Sequence, residues 1–172
     1  MASELPVLSE AANRDVLMTP ADLIQNDALS AAILAQAVHS FGGRDKGGMP
    51  LLLCTTILPL VLHGQSSQQI NRRRGDSALF RVAEENPRVS AGLEARVKAM
   101  MQQTFDALNV ALATNCVVME SETRNLLPGS DLFPIDAGKP EVRAKLRAAN
   151  RLGRWFAVVG LPQTYALLNL RM

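Results

Sequence analysis

Residues 143–172 read RAKLRAANRLGRWFAVVGLPQTYALLNLRM and hold the only Trp and the only Tyr of the chain. At 100° per residue, Arg143, Arg147, Arg151 and Arg154 fall within an arc of about 80°. Val142, Leu146, Ala149, Leu152 and Phe156 occupy the opposite side. One side of a long helix is therefore expected to pack, while the other presents four planar donors in line. Lys139-Pro140 opens this helix, which runs to about Val159, because proline suits the first helical turn. Gly160-Leu161-Pro162 breaks it, and residues 163–170 make a last short helix.

The rest of the chain supports the same fold class. Its 172 residues fit one domain able to close a single core. Apolar residues make up 48% and aromatics only 4%, so Leu, Ala, Val and Met must fill the interior. Leu and Ala are strong helix formers. Asn26 or Asp27 caps a helix with one apolar face, Leu29, Ile33, Ala37 and Phe41, which ends at Gly42-Gly43. Residues 49–62 are a continuous apolar run, read as the buried central helix, kinked or ended by Pro59. Residues 66–70 form a short helix, and Asn71-Arg72-Arg73-Arg74-Gly75-Asp76 a polar turn. Ser77 caps a helix that stops at Asn86-Pro87. Residues 89–114 read as the longest helix, from a stripe running Val89, Leu93, Val97, Met100, Met101, Thr104, Leu108, Leu112. The β-branched Cys116–Met119 run and the returning Leu126-Leu127 predict a small β-hairpin, followed by an irregular loop rich in Pro and Gly.

The fold class is mainly α: a compact helical domain of residues 25–172 with one small β-hairpin, preceded by an N-terminal arm over residues 1–24. That order of elements suits a winged-helix arrangement and equally a helical bundle carrying a β-ribbon.

Charge and chemistry narrow the function. Eighteen basic against sixteen acidic residues exclude a generally basic, histone-like protein but leave room for a local basic patch. Cys54 and Cys116 sit in apolar runs and read as buried free thiols of a cytoplasmic protein. The N-terminus carries acidic residues and no apolar core of a signal peptide. As a helix, residues 49–62 span roughly 21 Å, short of a bilayer core of about 30 Å, so no membrane association is expected. His39 and His63 are the only histidines and stand 24 residues apart. No metal-ligand spacing, nucleophile elbow or phosphate-binding signature occurs, and His63 reads as a capping or surface residue. No catalytic group, cofactor or metal is expected. An enzyme using Cys54 or Cys116 as nucleophile is the remotest alternative.

Two basic features remain, Arg72-Arg73-Arg74 and the arginine line of the C-terminal helix. Trp155 lies just beyond the arginine edge, placed either to stack on Arg151 or to anchor a partner.

These residues also carry a resemblance. Leu152-Gly153-Arg154-Trp155-Phe156, followed by Gly160-x-Pro162 and ALLNLRM at 166–172, resembles the C-terminal signature of the middle component of three-component ABC systems. Asn26-x-Ala28, Leu58-Pro59-Leu60-Val61-Leu62-His63 and Glu85-Asn86-Pro87 match family positions too, so the resemblance covers roughly residues 24–172. Two departures stand out. The family's usual Asn-Pro-Ala is Asn26-Asp27-Ala28 here, and residues 1–23 have no recognised counterpart.

The resemblance implies a non-enzymatic adaptor encoded between an SMC/Rad50-like ABC ATPase and a variable, effector-like third component such as a nuclease. Such systems, Lamassu-like ones included, are associated with bacterial defence against phage and plasmids. DNA contact would run through the complex. Partner or DNA contact is assigned to Arg143, Arg147, Arg151, Arg154 and Trp155, and to Arg72, Arg73 and Arg74. The alternative is a winged-helix-type DNA-binding regulator using Arg72 to Arg74 and the hairpin on phosphates.

Overall fold

The computed structural model describes residues 26–42, 45, 47–73, 78–130, 132, 134, 136 and 138–171. Helix α1 (Asp27–Phe41) begins at Asn26, whose Oδ1 accepts a hydrogen bond from the Leu29 backbone N at 2.9 Å. That bond satisfies one of the donors a helix start leaves open. After α1 come α2 (Leu51–Val61), α3 (Gly64–Arg72), α4 (Ala78–Glu85), α5 (Pro87–Ser90), α6 (Leu93–Ala99) and α7 (Met101–Ala113). Strands β1 (Val117–Met119) and β2 (Leu126–Pro128) pair antiparallel, Val118 opposite Leu127. Helices α8 (Pro140–Val159) and α9 (Leu161–Leu167) complete the described elements. The class is the mainly helical one with a single two-stranded hairpin that the sequence predicts. Among the described residues no helix is long and apolar enough to cross a membrane.

The centre of the fold is α1. It packs most extensively on α8, then on α7 and α2. The sequence predicts one apolar face for α1, yet Leu29, Ser30, Ala31, Ile33, Leu34, Ala35, Gln36, Ala37, Val38 and Phe41 are all buried. Small side chains explain this. Alanines at 31, 35 and 37 let neighbouring helices close in on several sides, so no polar face is needed. The predicted central helix, α2, is buried from Leu53 to Val61 as expected, and runs two residues beyond Pro59.

The tightest approach lies between α1 and α8. A Cβ at Gly153 would overlap the Ser40 Oγ and the Ala37 carbonyl oxygen, so only glycine lets α8 cross α1 at this distance. The glycine of the Leu-Gly-Arg-Trp-Phe run is thus a packing residue.

The single long helix predicted over residues 89–114 is divided. Gly92 adopts the left-handed conformation (φ 67°) between α5 and α6, and Met100 (φ −100°, ψ 8°) separates α6 from α7. A regular apolar stripe survived both breaks, so periodicity alone could not reveal them. The longest described helix is instead α8, with 20 residues. Its start at Pro140 and its stop at Gly160 match the local signals.

The hairpin is tied down on two sides. Met49 and Leu126 exchange backbone hydrogen bonds of 2.8 Å, and Asn125 Nδ2 donates to the Gly47 carbonyl at 2.7 Å. From α1, His39 Nε2 reaches the Cys116 carbonyl at 2.9 Å.

Candidate partner-docking face

Helix α8 carries most of the residues that the sequence assigns to partner contact, and the fold divides them. Arg147 and Arg154 are exposed. They stand seven residues apart, roughly 10 Å along the axis. Arg154 donates to the Asn150 Oδ1 at 2.7 Å, which holds its guanidinium along the helix surface.

Arg151 points elsewhere. Its Nη1 donates to the Ile70 carbonyl at 3.1 Å and also to the Asn71 carbonyl, the last carbonyls of α3. A helix end leaves such carbonyls without partners and carries partial negative charge, so a guanidinium is well matched to it. Arg143 is half-buried, and its Nε has no hydrogen-bond partner among the described residues. The expected line of four outward arginines therefore reduces to Arg147 and Arg154. The helical arithmetic was right, but α3 rises beside α8 and covers part of the arc.

Lys145, not singled out from the sequence, plays a part like that of Arg151. Its Nζ donates to the Val61 carbonyl at 2.9 Å, at the C-terminus of α2. Burial lowers its pKa from the ordinary lysine value. Arg96 does the same for α5, donating to the Val89 and Ala91 carbonyls at 2.9 and 3.0 Å. Three cations on α6 and α8 thus close the C-terminal ends of α5, α2 and α3.

Trp155 is 2% exposed and belongs to the core with Leu152 and Phe156. Buried there, it does not stand out as an exposed anchor for a partner. Arg72 is exposed at the last residue of α3 rather than in a loop, Arg73 pairs with Glu85, and Arg74 lies outside the described residues. Asn71 Nδ2 donates to the Ala144 carbonyl at 3.0 Å, so the end of α3 lies against α8, and Arg72 there lines a shallow concavity with Glu141 and Lys145.

The thiols and histidines have structural surroundings. Cys54 is fully buried, and burial pushes its thiol up to about 12, so it stays protonated at neutral pH. Cys116 is half-buried rather than buried, and both cysteines are free. His63 is the N-cap of α3: its Nδ1 lies 2.8 Å from the Ser66 Oγ and accepts from the Ser66 backbone N at 3.4 Å. Burial lowers the His63 pKa, and the nearby Arg96 and Lys145 charges add to the effect. Among the described residues no three His, Cys, Asp or Glu side chains gather closely enough to hold a metal ion.

Sequence reasoning missed a second surface. Leu52 and Phe105 stand 49% and 39% exposed on either side of an apolar groove of about 380 Å³. Leu52 was hidden inside a wholly apolar run. Phe105 falls just off the stripe assigned to residues 89–114, and that offset was the available signal.

The family model described as ABC-three component (ABC-3C) system Middle Component 3 matches residues 15–172. No curated protein and no solved structure matches the chain. The match takes in the whole helical domain and the Leu152 to Phe156 core of α8, and the chain belongs to the middle component 3 family of ABC three-component systems.

Proposed function

We propose that this protein is a non-enzymatic adaptor subunit that binds an SMC/Rad50-like ABC ATPase and couples it to an effector in bacterial defence against phage or plasmids. A middle component has partners within its own system, and the reading gives those partners chemical form. The observation that carries it is the division of charge on α8. Lys145 and Arg151 are consumed in closing helix ends, while Arg147 and Arg154 face outward from a helix locked to the centre of the fold. A rigid helix presenting spaced guanidinium groups suits recognition of carboxylates or phosphates on a partner. The buried, protonated Cys54 thiol weighs against the rival reading in which Cys54 is a nucleophile.

Co-expression with the ATPase encoded beside it is the test. The wild-type chain is expected to co-purify stably with the ATPase, and Arg147→Glu with Arg154→Glu to weaken that complex at least tenfold. Failure of the wild-type chain to co-purify refutes the adaptor reading. Tight binding of the isolated protein to duplex DNA at about 50 mM salt, lost as salt rises, would favour the DNA-binding regulator instead.

A further inference from the structure

The groove beside Leu52 is independent of the arginine face and lies among the first turn of α2, α6, α7 and the stretch after α9. Leu52, Val97, Met101, Phe105 and Leu170 make it apolar. Scattered exposed hydrophobes are ordinary, but two large ones flanking a shared concavity are a different matter. Its rim is charged unevenly. Lys98 Nζ donates to Glu94 Oε1 at 2.7 Å, and Arg171 lines the same rim, giving two cations to one carboxylate among the described residues. Positive potential comes from the backbone as well. Helix α2 enters the groove by its N-terminus, Pro50 provides no side-chain cap, and no acidic residue lies in the first turn. Tyr165, whose hydroxyl donates to the Leu52 carbonyl at 2.9 Å, holds this turn in place.

We infer that this groove receives an amphipathic helix from another component of the three-component system, with apolar side chains on one face and carboxylates on its flank. The apolar lining takes two or three anchoring side chains at helical spacing, the usual way a helix lies in a groove. The carboxylates meet Arg171 and the open end of α2. Partners of this family member are part of the adaptor reading, but the surface is separate from the arginine face.

Affinity of the full-length chain for the ATPase and for the third component, each measured separately, tests the inference. Leu52→Asp and Phe105→Glu are expected to weaken one of these complexes at least tenfold. Both changes suit their helices, since an acidic residue at the second position of α2 favours its N-terminus and Glu is a good helix former. Arg171→Glu should weaken the same complex about threefold or more, whereas Glu94→Lys should leave it unchanged or tighter. That opposite response to charge separates docking from general destabilisation. Wild-type binding that the groove variants leave intact, with only Arg147→Glu and Arg154→Glu weakening it, overturns the groove and spares the adaptor. A wild-type chain that binds neither component overturns both. A wild-type dimer that Leu52→Asp dissolves would make the occupant a second copy. A fall in Tm beyond about 4 °C in Leu52→Asp would mean that the chain covers the face itself, since a half-exposed site should cost less. Either result overturns the inference.

Discussion

Replacing Gly153 by Ala tests the packing at the centre of the fold. The added methyl would overlap the Ala37 carbonyl oxygen and the Ser40 Oγ on α1. A side chain can rotate away, but a carbonyl inside a helix cannot, so α8 must move off α1. Overpacking of this kind costs about 1–3 kcal/mol, and a backbone obstacle puts the cost near the upper end. Alanine's better helix propensity returns about 1 kcal/mol. The net loss is about 2 kcal/mol, and for a chain of this length each kcal/mol lowers Tm by roughly 2–4 °C. A drop of about 4–8 °C is expected, with a lower urea midpoint at unchanged slope, followed by circular dichroism. Adding Ser40→Ala to Gly153→Ala should recover only part of the loss, because the hydroxyl is one obstacle and the Ala37 carbonyl the other. If Gly153→Ala alone were as stable as the wild-type chain or more so, the close crossing of α1 and α8 would be wrong.

Two further outcomes follow from the closed helix ends. Arg151→Met removes the donor to the Ile70 and Asn71 carbonyls and should cost about 1–3 kcal/mol, with faster amide exchange concentrated in α3 as its signature; uniform exchange across the chain would contradict this. His63 accepts the α3 cap bond in its neutral form, and its folded pKa lies below that of the unfolded chain. Its contribution is therefore complete above about pH 6.5 and is lost as pH falls below that value, while the unfolded chain takes up the proton first. Tm should fall between pH 7.5 and pH 5, and His63→Asn, a strong neutral cap, should flatten this dependence; an unchanged slope in that variant would count against the role.

Much of the local structure was legible from short-range chemistry. Asn26 as a cap, Pro140 at the start of α8, Gly160 at its end and the hairpin around residues 117–128 each depend on residues within a few positions of one another. The pattern failed where the answer depended on neighbours far along the chain. The stripe over residues 89–114 continued through Gly92, where only the backbone angles show the break. The alanine-rich α1 looked amphipathic because its apolar face was real, but the small residues on its other side are buried too.

The sequence by itself determined that α8 is a helix, where it begins and ends, and that its arginines share one side, because helical geometry and capping are local properties. Only the tertiary structure decided what each cation does. Whether a guanidinium meets solvent or a carbonyl depends on which helix end lies within its reach, and α3 ends beside Arg151 but not beside Arg154. The same holds for Gly153 and Trp155: one lets α1 approach and the other fills the core, because long-range packing sets the distance between helices that the sequence forms one at a time.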